Sequence, residues 1–274
     1  MYKGKKTPEN LSEERKKYLR HIAYKKYGIL SVQILILIFF ITLWEISANL
    51  GLIDSFITSQ PSRIVDTFLN LTSNDLLMHI GITCFETMVG FLLGVILGTI
   101  LATLLWWSDT LSKISEPYLV ILNSLPKIAL GPVIIIWVGA GVKAIIVMAL
   151  AISLIVTVLE LLNGFLQTDK ETIKMARTFG ANKAQIFSKI VFPANMETLF
   201  NSLKINIGLS LVGVIAGEFL VSKAGLGYLI VYGGQVFQLD LVMASVIILA
   251  IVAALLYEFV RILEKIVCRK NFRK

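Results

Sequence analysis

Long apolar runs separated by short polar breaks dominate the hydropathy pattern of this chain of 274 residues. A helix of roughly 20 apolar residues is long enough to cross the hydrocarbon core of a bilayer. Runs of that kind predict six membrane-spanning helices, near residues 29–50, 82–106, 119–139, 143–164, 200–221 and 240–264. The predicted fold class is therefore all-α, a polytopic membrane bundle of six transmembrane helices.

Composition and charge support a membrane protein with both termini in the cytoplasm. Hydrophobic residues make up 56% of the chain, and the mean hydropathy is +0.79. A net charge of +8 could indicate a nucleic-acid partner, but lysine and arginine are also retained on the cytoplasmic side of membranes. With the N-terminus inside, all but three of the 26 Lys and Arg residues, including Lys113 and Lys127, fall on the cytoplasmic side. The exceptions are Arg63, Lys143 and Lys223, so topology explains the charge and no nucleic acid is expected.

This topology predicts a simple domain organisation. Residues 1–28 form a basic cytoplasmic leader, residues 29–267 the transmembrane domain, and residues 268–274 a basic cytoplasmic tail. The first apolar run is interpreted as an uncleaved span, because it is long and no small-residue cleavage site follows it. Pro61 precedes an amphipathic run and predicts a short helix lying flat on the outer face.

The cytoplasmic stretch 165–199, between the fourth and fifth spans, is the most informative part of the chain. Thr168 and Glu171 have the spacing of a helix-capping box, and Ile173, Ala176 and Phe179 follow at roughly helical spacing. Gly180 can adopt the left-handed conformation that ends a helix. The first half of this stretch is therefore predicted to be a short amphipathic helix closed by a glycine turn.

A second short helix is predicted after the turn. Asn182 is a suitable cap, and Pro193 marks a break before the next span. The apolar positions between them recur at three- and four-residue spacings and comprise Ala184, Phe187, Ile190 and Val191. Periodicity alone leaves two interpretations open: a knob that a partner protein grips, or a helix pair lying on lipid.

The spacing of this stretch resembles the cytoplasmic signature of binding-protein-dependent ABC importer permeases. That signature is Glu-Ala-Ala, three residues, Gly, nine residues, Ile, one residue and Leu-Pro. Ala176, Gly180, Ile190 and Pro193 match it in register, and three positions depart from it, namely Lys174, Met175 and Phe192. Stretches 125–132, 136–139, 216–220 and 225–228 are similar to permeases of nitrate, sulfonate and taurine importers.

The resemblance implies a type I ABC importer permease in the bacterial cell membrane. Its partners would be two cytoplasmic ABC ATPase subunits, an extracytoplasmic solute-binding protein and a second permease copy. The implied cargo is a small organic or inorganic anion such as a sulfonate, taurine or nitrate, and a vitamin precursor is the alternative. The coupling-loop residues carried over are Ala176, Gly180, Ala184, Phe187, Ile190 and Pro193.

Several negative observations agree with a non-enzymatic transport subunit. The sequence has no Gly-x-x-x-x-Gly-Lys-Ser/Thr phosphate loop, so ATP is expected on a separate chain and no cofactor on this one. No catalytic constellation and no metal-ligand spacing is evident. Closure of the ATPase dimer is expected to move residues 168–191 as a lever that displaces the fourth and fifth spans.

Three small or rigid residues in the third apolar run, Pro126, Gly131 and Pro132, predict a broken helix beside the solute pathway. A simple kink without solute contact is the alternative for them. Gly90, Gly94 and Gly98 recur every four residues, which is typical of close helix packing.

Intramembrane carboxylates are the remaining candidates for function. Glu218 is expected to brace the outer loop at Gly225–Gly227, with solute contact as the alternative. An ion-coupled secondary transporter is the rival function, and it would use buried carboxylates such as Glu45 and Glu258 as coupling sites. A membrane scaffold without transport would leave the broken third helix and the cytoplasmic knob unexplained.

Overall fold

The computed structural model describes residues 13–72 and 75–271, and every element in these ranges is helical. Helices long and apolar enough to span a membrane comprise five unbroken helices and one bent pair within the described residues. The six predicted spans are thereby confirmed. The chain divides into two compact units, one ending at Val65 and the other beginning at Asp66.

The first unit contains α1 (Glu13–Asn49), α2 (Ser55–Thr58) and the start of α3 (Pro61–Thr72). The apolar part of α1, Tyr27–Asn49, is the candidate span, and the helix extends back into the predicted basic leader. The carboxylate of Glu45 accepts hydrogen bonds from the Ser62 backbone N–H (3.1 Å) and the Ser62 hydroxyl (2.9 Å). Glu45 thus satisfies free donors in the first turn of α3.

The second unit contains the rest of the bundle. Its helices are α4 (Leu76–Trp107), α5 (Asp109–Ser124), a 3-10 helix (Lys127–Leu130), α6 (Gly131–Val138), α7 (Val142–Gln167), α8 (Lys170–Thr178), α9 (Lys183–Ile186), a π-helix (Phe187–Val191), α10 (Phe192–Ala194), α11 (Met196–Val221), α12 (Leu226–Gln235) and α13 (Leu239–Asn271). Helices α4 and α11 both pack along α7. These three helices form the core of the second unit.

Small residues allow the three core helices to approach each other closely. A Cβ atom added at Gly90 would lie 2.6 Å from the Cβ of Ala149, and one at Gly98 would lie 2.7 Å from the Cβ of Thr157. Gly213 of α11 packs against the backbone of Ala149 from the other side. The packing role predicted from the glycine repeat is confirmed.

The third span is longer than the run predicted at 119–139, and it is broken, as its proline and glycine residues suggested. It begins at Asp109, and its two halves, α5 and the stretch Lys127–Val138, are bent by 84°. The break falls at Pro126, which has no N–H to continue the helix. Lys127 directly follows Pro126 and therefore lies at this break. The hydropathy average across the break did not show the earlier start or the size of the bend.

Candidate functional site

The segment between α7 and α11 is ordered, and its first helix begins one residue later than predicted. Asp169, and not Thr168, caps α8: its carboxylate accepts hydrogen bonds from the backbone N–H groups of Glu171 and Thr172, both at 3.1 Å. A hydrogen bond from the Thr172 hydroxyl and these two N–H groups lower the pKa of Asp169. A negatively charged carboxylate is a stronger hydrogen-bond acceptor at a helix N-terminus than a hydroxyl is, which explains why Asp169 and not Thr168 is the cap.

Thr168 has a different role, which connects the two ends of the segment. Its hydroxyl accepts a hydrogen bond from the side-chain amide of Asn195 at 2.8 Å. The same amide nitrogen donates to the carbonyl of Val191 at 2.8 Å. Asn195 is buried and lies directly before α11, so it joins the C-terminal end of α7 to the N-terminal end of α11.

The glycine turn has the predicted backbone geometry. Gly180 has φ +82°, and its N–H donates to the carbonyl of Arg177 at 2.9 Å. The N–H of Ala181 donates to the carbonyl of Ala176 at 3.0 Å. No atom lies within 4 Å of a Cβ atom added at Gly180, so the backbone conformation alone favours glycine here.

The second helix is shorter and less regular than predicted. Asn182 caps α9 in a reciprocal capping box with Gln185, with hydrogen bonds of 2.8 and 2.9 Å. The chain then continues through the π-helix and α10 without leaving a helical conformation. Pro193 was predicted to mark the break, but it lies within α10 and the interruption comes at Asn195. A proline is tolerated in the first turn of a helix, which accounts for the difference.

Phe187 anchors this irregular stretch to the transmembrane core. Its ring centroid lies 5.1 Å from that of Trp106, 5.4 Å from Phe165 and 5.9 Å from Phe192. Ile186, which the apolar periodicity did not select, is buried in the same cluster. The segment is therefore packed against the ends of both α4 and α7.

Lys183 adds a contact that the sequence analysis missed. Its ammonium group donates to the carbonyl of Trp107 at 2.7 Å and lies 5.5 Å from the ring centroid of Trp106. A cation at the C-terminal end of α4 satisfies a free carbonyl and complements the helix dipole. The two residues are 76 positions apart, and no local pattern could have paired them.

The predicted apolar face of α8 divides into an inner and an outer part. Ile173 and Ala176 pack against the core cluster, but Phe179 is 84% exposed and Met175 is 56% exposed. Among the other loop candidates, Ala184 and Pro193 are exposed and Ile190 is partly buried. The segment therefore has one face fixed to the bundle and an exposed apolar tip beside Gly180.

The helix-break candidates lie beside an apolar cavity. Gly131 is buried, and a Cβ atom there would lie 2.6 Å from Leu220, whereas Pro126 and Pro132 are exposed. A cavity of about 740 Å³ is lined by Pro132 and Ile128 together with side chains of α11 and α13. The break therefore borders a space of ligand size.

Glu218 lies at the opposite end of the core and is almost fully buried. The Thr83 hydroxyl donates to one of its carboxylate oxygens at 2.7 Å, and the Gly227 N–H donates to the other at 2.5 Å. The Leu226 N–H in turn donates to the Thr83 hydroxyl at 2.8 Å. Glu218 thus contacts α4 and the first turn of α12 from its position on α11.

A bundle of membrane-spanning helices with a bent third span and an ordered segment packed across the ends of its core helices is the architecture of an ABC importer permease. Residues 94–273 match the family described as binding-protein-dependent transport system inner membrane component, and the chain belongs to this family. The recognition made from the motifs is confirmed, as is localisation in the membrane.

Two relatives show how widely the family varies. The chain is 30% identical over 243 residues to the putative aliphatic sulfonates transport permease protein SsuC of Bacillus subtilis, covering 88% of this chain and 87% of that protein. It is 29% identical to the riboflavin transport system permease protein RibX of Chloroflexus aurantiacus, covering 92% of each. Similarity therefore defines the permease class and leaves the cargo open.

A solved structure supports the fold independently. The chain is similar to a subunit of the MetNI methionine ABC transporter in an inward-facing conformation, with a TM-score of 0.63 and 20% sequence identity. The likeness covers 70% of this chain and 95% of that one. At this identity it shows a shared fold.

Proposed function

We propose that this permease works as a homodimer that receives solute from an extracytoplasmic binding protein and is driven by a separate ATPase. The observation that carries the proposal is the segment Thr168–Asn195, which is anchored to three core helices and exposes an apolar tip. In this proposal the segment is the ATPase-coupling loop, and the core helices line the solute pathway.

The anchoring supports the lever mechanism. Asn195 links α7 to α11, Lys183 holds the end of α4, and Phe187 packs against both α4 and α7. A displacement of the loop would therefore move all three helices together, because packed interiors transmit strain instead of absorbing it. The lever predicted from sequence involved α7 and α11, and the proposal now includes α4.

Phe179 supports contact with a protein partner. An aromatic side chain that is 84% exposed beside a rigid glycine turn has the character of an interface hot spot. Exposed Met175 on the same helix enlarges this apolar tip. The partner proposed is the ATPase subunit, because this chain carries no phosphate loop of its own.

For the cargo we propose a small organic anion of the sulfonate type. Lys127 lies in the break of the third span, where its ammonium group donates to the carbonyl of Asn123 at 2.9 Å. A cation in a membrane-spanning segment is a functional candidate by default. The Bacillus subtilis relative, a putative aliphatic sulfonates transport permease, supports the same class of solute.

A larger uncharged or weakly charged heterocycle is the second candidate. The riboflavin permease is almost equally similar over a slightly longer stretch, and the cavity beside the break is almost wholly apolar. A planar ring system would suit such a lining better than a short sulfonate would.

The coupling proposal is tested by solute uptake into vesicles that contain the chain, its ATPase and its binding protein. Phe179→Ala should lower ATP-driven uptake and ATPase binding about tenfold or more, since loss of a hot-spot aromatic costs about 2 kcal/mol. Phe237→Ala is the matched control, because Phe237 is 71% exposed in the connection between α12 and α13. Equal uptake by both variants, or uptake driven by an ion gradient without ATP, would contradict the proposal.

The cargo is tested by offering the same vesicles alkanesulfonates, taurine, nitrate, a thiamine precursor and riboflavin. Lys127→Gln should reduce uptake of a transported sulfonate, whereas Lys113→Gln on α5 should not. Uptake of riboflavin alone, unaffected by Lys127→Gln, would replace the anion proposal with the heterocycle.

A further inference from the structure

Two buried carboxyl groups face each other in the membrane core at the predicted outer end. Glu86 on α4 and Glu218 on α11 are each 1% exposed. Their side chains lie within hydrogen-bond distance of one another. Two ionised carboxylates cannot form a hydrogen bond, and in this position they would repel each other.

The two carboxyl groups differ in the hydrogen-bond donors that surround them. Glu218 accepts hydrogen bonds from the Thr83 hydroxyl and the Gly227 N–H. Neither oxygen of Glu86 has a hydrogen-bond donor in the part of the chain that the structure describes, if both groups are ionised. An ionised carboxylate buried without a donor is strongly unfavourable.

The polar groups around the pair do not supply a balancing cation. His79, one turn before Thr83 on α4, accepts the Gly225 N–H at its Nδ1, and that nitrogen therefore carries no proton. Lys223 lines a cavity of about 720 Å³ together with Glu86. The ion pairs Lys174–Glu171, Lys204–Glu264 and Arg261–Glu258 involve neither member of the pair.

The packing of the α12 turn also excludes a larger cation on the Glu218 side. A Cβ atom added at Gly227 would lie 2.8 Å from a carboxylate oxygen of Glu218, and one added at Gly225 would collide with the same carboxyl group. The backbone of the turn is therefore in direct contact with Glu218. A proton, unlike a larger cation, needs no free space beside the carboxyl group.

We propose that Glu86 and Glu218 share one proton and so form a buried proton site that fastens α4, α11 and the start of α12 together. One carboxyl group is the neutral acid and donates its O–H to the other, which remains a carboxylate. The Thr83 hydroxyl and the Gly227 N–H stabilise the remaining negative charge. One oxygen of Glu86 thereby gains a hydrogen-bond partner without any further group.

Infrared difference spectroscopy of the full chain in lipid nanodiscs tests the proton directly. A protonated carboxyl has a carbonyl-stretch band that is separate from the carboxylate bands. The spectrum of the wild type minus that of Glu86→Gln at neutral pH should contain one acid band, because glutamine donates to Glu218 and removes the shared proton. A difference spectrum with carboxylate bands only would show that both groups are ionised, and it would overturn the proposal.

A control variant and a titration of the wild type complete the test. Glu258→Gln is the control, because Glu258 is an exposed carboxylate paired with Arg261 on α13, and it should remove carboxylate bands only. If Glu86→Gln does not fold, the wild type alone is titrated: its acid band should be present at neutral pH and vanish on alkalinisation. Absence of an acid band from the wild type at neutral pH would also overturn the proposal.

Discussion

The two ends of the core formed by α4, α7 and α11 are held together in opposite ways. At the predicted cytoplasmic end, contacts come from an aromatic cluster around Phe187 and from hydrogen bonds of Asn195 and Lys183, and much of the segment is exposed. At the predicted outer end, the carboxylate of Glu218 is buried and accepts hydrogen bonds from the Thr83 hydroxyl and the Gly227 N–H.

This difference indicates a division of labour within one rigid core. The cytoplasmic end is internally connected but exposes an apolar tip, centred on Phe179, as an interface to a partner requires. At the outer end, Glu218 has its hydrogen bonds satisfied locally, whereas the oxygens of Glu86 and the hydroxyl of the neighbouring Thr87 have no donor or acceptor among the described residues. Substitutions at the outer end should therefore affect folding most, and substitutions at the cytoplasmic end should affect coupling most.

The largest effect on stability is expected at the outer turn. Gly225→Ala should lower the free energy of unfolding by about 3–5 kcal/mol, because φ is +112° there and the new Cβ would collide with the Glu218 carboxyl. Denaturant titration in mixed micelles measures the loss. Gly139→Ala is the control for the backbone term alone, since Gly139 has φ +89° and open space around it.

The control separates strain from contact with Glu218. Gly139→Ala should cost about 1–3 kcal/mol, the range for a strained backbone conformation. Equal losses in the two variants would mean that the carboxyl group yields easily, and the sealed character of the outer end would then be wrong.

Gly180→Pro should have the next largest effect, seen in coupling and not in membrane insertion. Proline fixes φ near −65° and removes the N–H that donates to Arg177, whereas the native φ is +82°. ATP-driven uptake should fall at least about tenfold, as expected when the loop geometry is lost. Gly180→Asn should transport almost normally, because asparagine tolerates the left-handed conformation. Normal uptake with proline would refute the lever mechanism.

The sequence predicted the architecture well because hydropathy and capping are local properties. Gly180 and Asn182 were assigned their conformations from residue type and spacing, and the structure shows the same turn and cap. The bend of the third span was anticipated from Pro126, but its size and its early start at Asp109 were not. The size of the bend and the start of the span depend on helix packing, which a hydropathy average does not detect.

Contacts between distant residues were beyond the sequence analysis. The bond from Lys183 to the Trp107 carbonyl joins two elements that no periodic pattern relates. Glu218 was predicted to brace the outer loop, but only the packing of α4 beside α11 brings Glu86 next to it. The exposure of Phe179 was also missed. Helical spacing placed Phe179 on the same face as Ile173 and Ala176, but α8 ends at Thr178, one residue before it.

A smaller effect is expected when the two ends of the coupling loop are disconnected. Asn195→Ala removes two side-chain hydrogen bonds, to Thr168 and Val191, and should cost about 1–2 kcal/mol. Thr168→Val removes the shared bond and the long bond of 3.4 Å that its hydroxyl donates to the Gly164 carbonyl. A double-mutant cycle should give a coupling energy of about 1 kcal/mol between the two sites. Strict additivity would show that the bond between Asn195 and Thr168 does not hold the loop.

The smallest effect is expected at the cap of α8, where pH distinguishes the two ends. The lowered pKa of Asp169 means that its cap is fully present above the ordinary aspartate pKa of about 3.9 and is lost only as pH falls through the lower folded value. Between pH 5 and 8, amide exchange at the Thr172 N–H, corrected for its intrinsic pH dependence, should therefore show constant protection. Asp169→Asn should leave this protection nearly unchanged, since asparagine caps helices about equally well. A change in corrected protection within that window would contradict this account. The outer carboxyl pair should respond in the opposite direction, because it loses its shared proton as pH rises. Alkaline conditions should therefore destabilise the outer end, while the cap at the cytoplasmic end stays formed.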